Sequence, residues 1–429
     1  VAQQHKHQFK VVEICAGAGG QSLGLDRAGF GHELAVELDP NAAKTLMHNH
    51  DEWDVRIGDV ADPKVWNPSD YEGVDLLAGG VPCPPFSIAG KQLGANDERD
   101  LFAWAVELCG KVRPRALLLE NVRGLSTNRF TGYRQHVLDR LNEHGYIGQW
   151  KLLHASDFGV PQLRPRFVLV ALPAEHAQYF RWPDSGGTPP PTVGEALKDL
   201  MSARGWRGAD DWARKADRIA PTIVGGSKKH GGADLGPTRA KQAWAAMGVD
   251  AMGVADAPPE AGWEPPEMVP GPKLTTEMVA RIQGWNDPGE WEFTGRKTSR
   301  YRQIGNAFPP PVAEAVGSAI ARALRKEGEP QTLIESTSTV LDPVYKLLSS
   351  SSRAMAADTI LRRLSKAGVQ MDQPELERRL IHLSHDFEIV EKQRRDGART
   401  YRLSEFKAFL GQEDHDRQVL FSKHRARIS

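Results

Sequence analysis

Lys10-Val11-Val12-Glu13-Ile14-Cys15-Ala16-Gly17-Ala18-Gly19-Gly20 decides the fold. Its first half is a short apolar, β-branched run that reads as a buried strand, and its second half is a glycine-rich turn. Gln21 to Ala28 continues with helical character. Strand, glycine turn and helix open a nucleotide-binding α/β fold, where backbone approaches a ligand at a helix N-terminus. The glycines depart from the strict G-x-G-x-x-G spacing, which argues against a dinucleotide phosphate site. Carboxylates then recur at the next predicted strand ends, Glu37 in Leu34-Ala35-Val36-Glu37-Leu38-Asp39 and Asp59 in Val55-Arg56-Ile57-Gly58-Asp59-Val60. Each alone would be an ordinary solvated acid. In series at strand ends they can accept hydrogen bonds from ribose hydroxyls and an adenine amino group.

Further along, Val74-Asp75-Leu76-Leu77-Ala78 breaks into Gly79-Gly80-Val81-Pro82-Cys83-Pro84-Pro85-Phe86-Ser87. A lone cysteine is usually a small core hydrophobe. Three prolines around Cys83 instead fix φ and strip donors from a loop at a strand end. That gives a stiff, reachable sulfur, as a nucleophile requires. Another predicted strand, Ala116-Leu117-Leu118-Leu119, runs into Glu120-Asn121-Val122. A carboxyl group buried there can hold a raised pKa and serve as a proton donor. Gln162-Leu163-Arg164-Pro165-Arg166 enters the strand Phe167-Val168-Leu169-Val170, and Gln303-Ile304-Gly305-Asn306-Ala307 lies far downstream. Alternate arginines suit a solvated edge, or charge-assisted contacts beside a polyanion.

Over roughly residues 9 to 325 these segments, in this order, resemble the cytosine-C5 DNA methyltransferase family. The resemblance implies a Rossmann-like α/β domain dependent on S-adenosylmethionine, with no metal. It implies catalytic roles for Cys83, Glu120, Arg164 and Arg166. Cys83 would attack C6 of a flipped-out cytosine, and Glu120 would bond N3 and the exocyclic amine. Arg166 would hold O2, and Arg164 would support the surrounding loop or a phosphate. Cofactor contacts are expected from Cys15, Ala16, Gly17, Gly19, Gly20, Glu37, Leu38, Asp59, Val60, Gly80, Pro82, Asn306 and Ala307. Cys15 stands where the family often has an aromatic residue, and Leu38 where it often has Trp. Glu277-Met278 stands where an Arg-Glu pair is common.

The 429 residues suit two or three domains. Lysine and arginine total 55 against 55 acidic side chains, so no overall polyelectrolyte character exists. Between Trp212 and Lys241, however, Arg214, Lys215, Arg218, Lys228, Lys229, Arg239 and Lys241 face only Asp217 and Asp234. Such a run is commonly just a solvated face. Within the family's variable region it reads better as a DNA-contacting surface, with Ser87, Gln162, Arg218, Lys228, Lys229, Arg239 and Lys241 as expected contacts. Three cysteines suit no disulfide framework. No run of about 18 apolar residues would span a membrane, and no secretory pattern opens the chain. A cytoplasmic, nucleoid-associated monomer acting on duplex DNA is the expectation.

Rhythm divides the chain. Residues 9–178 alternate strand and helix patterns, as in a parallel sheet flanked by helices. Residues 180–272 are Pro/Gly-rich and read as an irregular target-recognition domain. Residues 273–325 return to complete the first domain through helices from Thr275 to Gln283 and from Val312 to Leu324. Trp285, Trp291 and Phe293 are expected to pack the joint. A linker at 326–339 leads to 340–408, and 409–429 reads as a tail.

In 340–408, helices Met355 to Ala367 and Gln373 to Leu383 precede strands Phe387–Val390 and Thr400–Leu403, the outline of a winged helix. Its second helix would bind DNA through Arg378 and Arg379 with Arg394 and Arg395 on the wing, or the module would dock a partner such as a cognate endonuclease or defence subunit. Two other functions are carried beside the enzyme reading: a catalytically idle DNA-binding homologue, and a tRNA cytosine methyltransferase.

Overall fold

The computed structural model describes residues 7–82, 99–184, 186–187, 189–225, 233–287, 289–332, 341–394 and 398–406. The first strand, β1 (Phe9–Ile14), leads through the glycine turn into α1 (Gly20–Arg27), followed by β2 (Phe30–Glu37), α2 (Pro40–Asn49), β3 (Val55–Ile57) and β4 (Leu76–Gly79). Next come α3 (Arg99–Val112), β5 (Ala116–Val122), α4 (Thr131–Glu143), β6 (Tyr146–His154) and β7 (Pro165–Pro173). They form one seven-stranded sheet in the order β3-β2-β1-β4-β5-β7-β6. The strand order reverses at β1, which pairs in parallel with both β2 and β4. In such sheets, ligands sit beyond the carboxyl ends of the strands at that reversal.

One strand departs from the expected parallel sheet. β7 is antiparallel to both β5 and β6. Its N-terminal end therefore lies at the same sheet edge as the C-terminal end of β5.

Helices cover both faces of the sheet because its strands are almost wholly buried, as their continuous apolar runs require. After β7 come the short α5 (Ala174–Ala177), then α6 (Val193–Ser202), α7 (Ala209–Lys215) and α8 (Thr238–Ala246). The stretch read as irregular thus carries three helices of substance and, among the described residues, no strand beyond isolated bridges. Trp206, Trp212 and Trp244 give it a core continuous with Leu46 and Trp53 of the sheet domain.

The chain returns through α9 (Thr276–Ile282), α10 (Lys297–Asn306) and α11 (Pro310–Leu324). Thr275 caps α9, its hydroxyl accepting from Met278 N at 3.2 Å. α11 lies against α1, and Gly24 permits the approach, since a Cβ there would sit 2.5 Å from both Pro310 O and the Ala313 methyl.

The last region comprises α12 (Pro343–Ser349), β8 (Met355–Ala356), α13 (Ala357–Lys366), α14 (Gln373–Asp386), β9 (Phe387–Gln393) and β10 (Arg399–Phe406). Three antiparallel strands in the order β8-β10-β9 back three helices. α12 had no place in the sequence reading, though Asp342 followed by Pro343 is an N-cap pattern and the Asp342 side chain does accept from Tyr345 N at 2.9 Å. Met355, read as helical, lies in β8. Arg395 and the segment 409–429 are outside the described residues. Among the described residues, no helix is long and apolar enough to cross a membrane.

Candidate active site

Three strand ends converge on Glu120. Antiparallel register sets Val122 opposite Arg166 and Glu120 opposite Val168. The Arg166 Nε then lies 2.6 Å from Glu120 Oε1, with both side chains about one-tenth exposed. Burial pushes the Glu120 carboxyl above its ordinary range, while Arg166 and then Arg164 pull it back down. The neighbouring strand end lies beside it: a Cβ on Gly80 would make ordinary contact, at 3.6 Å, with both Cys15 O and Glu120 Oε2.

Asn121 ties the two loops together. Its side-chain amide donates to Val81 O at 3.0 Å, and its own Oδ1 accepts from Val122 N at 2.7 Å. The backbone is thus anchored one residue before Pro82, which is exposed and points the chain onward. Cys83 and Ser87, the expected nucleophile and a DNA contact, lie outside the described residues.

The cofactor edge is built by the turn after β1. Cys15 holds φ 53° and Gly17 φ 60°, a left-handed bend that costs a non-glycine residue of order 1 kcal/mol. Nothing lies within 4 Å of a Cβ placed on Gly17, so one side of the turn is open space. Glu37 closes the other side, one carboxylate oxygen accepting from Gly17 N and the other from Asp39 N, both at 2.7 Å. Burial raises the Glu37 carboxyl, and those backbone donors oppose it. Leu38 and Ile57 are exposed by 47% and 44% at the ends of adjacent strands, leaving apolar surface uncovered beside a carboxylate. Asp59 receives Ala61 N at 2.9 Å, and Val60 is buried beneath.

The return segment presses on this turn from behind. A Cβ on Gly19 would strike the Trp291 ring at 2.0 Å, and one on Gly20 would meet Phe308 O at 2.3 Å. Trp291 packs the joint as expected and also donates from Nε1 to Ala18 O at 3.0 Å. Its only sequence cue is being an indole among the aromatics of the return segment. Ala16 is held through Ala16 N to Val36 O at 3.2 Å.

Gln162 and Arg164 are interior fasteners. Gln162, placed among the DNA contacts on sequence, is wholly buried. It donates to Ile282 O and Gln283 Oε1 and accepts from Ile223 N at 2.8 Å, which leaves no group for a duplex. Gln283, which sequence reasoning missed, donates on to Ile304 O at 2.7 Å. A glutamine following the apolar positions of α9 was the available cue.

Arg164, expected to support a loop or phosphate, is 1% exposed. It donates to Ile223 O at 2.6 Å and to Gly305 O and Ala307 O at 2.8 Å, tying β7 to the recognition region and the return segment. Gly305 and Gly225 cross so closely that a Cβ on Gly305 would lie 2.5 Å from Gly225 Cα. Asn306, exposed at the end of α10, has its side chain at the same crossing. Arg164→Ala should therefore cost about 3 kcal/mol of stability by orphaning three buried carbonyls. A thermal midpoint unchanged from wild type would refute that role.

Of the expected DNA contacts, Arg218 and Arg239 are exposed and Lys241 pairs with Asp234 at 2.8 Å. Lys228 and Lys229 lie outside the described residues.

A buried carboxyl–guanidinium pair beside an open glycine turn, at the point where a parallel sheet reverses its strand order, is the arrangement of an α/β enzyme that binds its ligand at the strand ends. Residues 9–322 match the family model for C-5 cytosine-specific DNA methylase. The chain belongs to that family, and it is a DNA cytosine-5 methyltransferase. It is 64% identical over 424 residues to Type II methyltransferase M.NaeI of Lentzea aerocolonigenes, covering 98% of this chain and 99% of that one. It is 50% identical over 323 residues to Type II methyltransferase M.NgoMIV of Neisseria gonorrhoeae, covering 75% of this chain and 99% of the relative. A putative DNA modification methyltransferase encoded within an E. coli prophage shares the fold at TM-score 0.51 and 21% identity, over 74% of this chain and all of that one.

Proposed function

We propose that this chain methylates C5 of one cytosine within a short duplex DNA sequence, through a covalent bond between Cys83 and C6, in a Type II restriction-modification setting. The observation that carries the reading is the Glu120–Arg166 pair beside the end of β4, held there by Asn121. The Type II names of the two relatives support the setting.

The residues at the glycine turn fit S-adenosylmethionine. Glu37 suits a ribose diol, Leu38 and Ile57 offer apolar surface to an adenine ring, and the open side of Gly17 admits a close backbone contact. When bound, this group supplies an electrophilic methyl. The chain's residues do the rest. The Cys83 thiolate adds to C6, and Glu120 places a proton at N3 so that charge does not build on the ring. C5 is then electron-rich enough to take the methyl. Loss of the C5 proton restores the double bond and expels Cys83. A stacked cytosine cannot be reached by these groups, so the base must leave the helix.

Chemical-conversion sequencing of mixed duplex DNA after incubation with S-adenosylmethionine tests the reading. Methylation at one short repeated motif is expected; DNA bound without methylation would favour an idle homologue. The match to the DNA methylase family model favours duplex DNA over tRNA as substrate, and the exposed Arg218 and Arg239 suit a phosphate backbone. Trp291→Phe keeps an aromatic ring but loses the indole N–H and its bond to Ala18 O, so KM for S-adenosylmethionine should rise about fivefold with kcat within twofold. An unchanged KM would show that the turn holds its shape without that bond.

A further inference from the structure

The C-terminal module is seated on the catalytic domain, and the contact is extensive. α14, the helix expected to read DNA, packs against α4, where a Cβ on Gly132 would lie 2.2 Å from Leu383 Cδ2. His136 of α4 lies among Tyr345, Phe387 and Phe406, its Nδ1 3.0 Å from Tyr345 Oη. Arg379 is spent on Glu375 at 2.9 Å and leans on Thr131 and Asp342 at 3.3 and 3.5 Å. The apolar cores of the module and the sheet domain are one cluster.

Asp342 is the centre of this seam. It is 1% exposed, just ahead of α12, and accepts from the Thr131 hydroxyl at 2.9 Å. Thr131 is the first residue of α4, and one turn on is Arg134, itself buried. Arg134 Nη1 donates to Leu125 O at 2.6 Å and to Thr127 O at 2.8 Å. Leu125 lies in the 3-10 turn Arg123–Ser126, which directly follows Glu120-Asn121-Val122, and Thr127 joins that turn to the next, Asn128–Phe130. A nearby carboxylate offsets part of the cost of burying a guanidinium. Burial lowers Arg134 to about 10, and the negative charge of Asp342 opposes that fall.

We infer that Asp342 of the C-terminal module is a positioning residue for catalysis: through Thr131, whose hydroxyl also lies 3.0 Å from Asn128 O, it holds the 123–130 segment that follows Glu120 out of β5. The module is thus a brace on the active site. The family model matches residues 9–322 and ends before this module begins. The inference rests on the proposed role of Glu120. Displacing a reacting group by a fraction of an ångström is enough to cost about tenfold or more in rate.

The test uses the full chain, S-adenosylmethionine and duplex DNA bearing the mapped motif. Asp342→Asn should lower kcat about tenfold at 25 °C with KM for S-adenosylmethionine unchanged, because the cofactor edge is built by other strands. Asp342→Glu, which keeps the charge, should recover most of the rate. A kcat for Asp342→Asn within twofold of wild type, or a loss that Asp342→Glu fails to relieve, would overturn the inference.

If Asp342→Asn does not fold, Asp342→Ser, which keeps a cap on α12 but removes the charge, decides by amide hydrogen exchange. Exchange at 123–130 at least tenfold faster, with β1 and α11 unchanged, supports the brace. No local change overturns it. An inactive wild type would instead sink the proposed function, so the two failures are distinguishable.

Discussion

Cys83→Ala is expected to abolish methyl transfer, by more than about 10⁴-fold in kcat, while duplex DNA still binds. Removing a covalent nucleophile leaves only binding and electrostatic contributions to the rate. Affinity for DNA rests chiefly on phosphate contacts, which this change does not touch. The backbone just ahead of the thiol is restrained at Val81 O by Asn121, so alanine should leave the loop's anchor intact. Tritium transfer from labelled S-adenosylmethionine and a gel-shift titration measure the two quantities. Turnover within tenfold of wild type would remove Cys83 as nucleophile.

Glu120→Gln should cut kcat by about 10²–10⁴-fold, the ordinary span for loss of a positioned proton donor. It also leaves the buried Arg166 without its carboxylate, so stability should fall by about 3 kcal/mol. A pH profile separates these effects. Burial holds the Glu120 carboxyl above its ordinary range, so it keeps its proton to higher pH than a free side chain. The rate supported by the protonated form is full below that raised value and declines as pH rises through it. Wild type should show this alkaline decline, and the glutamine variant's residual rate should not. A variant with near-normal rate, or with the same decline, would take the proton role from Glu120.

The glycine turn, its flanking strand and the acids Glu37 and Asp59 could be read from the chain because each depends on neighbours in sequence. A β-branched run followed by Gly17 and Gly19 has few alternatives once φ must turn positive. The two helices and two strands at the C-terminus were readable for the same reason, since apolar period and turn residues are local. The first helix of that module was not read, because seven residues carry too little periodicity and only the Asp342-Pro343 cap announced it. Gln162 misled because a polar side chain in an arginine-rich stretch looks solvated, whereas its amide is buried against Gln283 and Ile223.

By itself the sequence determined an α/β nucleotide-type fold, a thiol and carboxyl at successive strand ends, and membership in a chemistry that uses both. The roles of the two arginines after Gln162 came only from the family resemblance, because their partners depend on which way the strand runs. Because β7 is antiparallel, its first residues lie beside the last residues of β5, so Arg166 meets Glu120 while Arg164 turns inward to three carbonyls. The sequence could not tell a DNA-reading helix from one pressed against α4. Strand direction and docking are decided by contacts between residues tens to hundreds apart, where burial of a shared apolar core and satisfaction of buried charge outweigh any local preference.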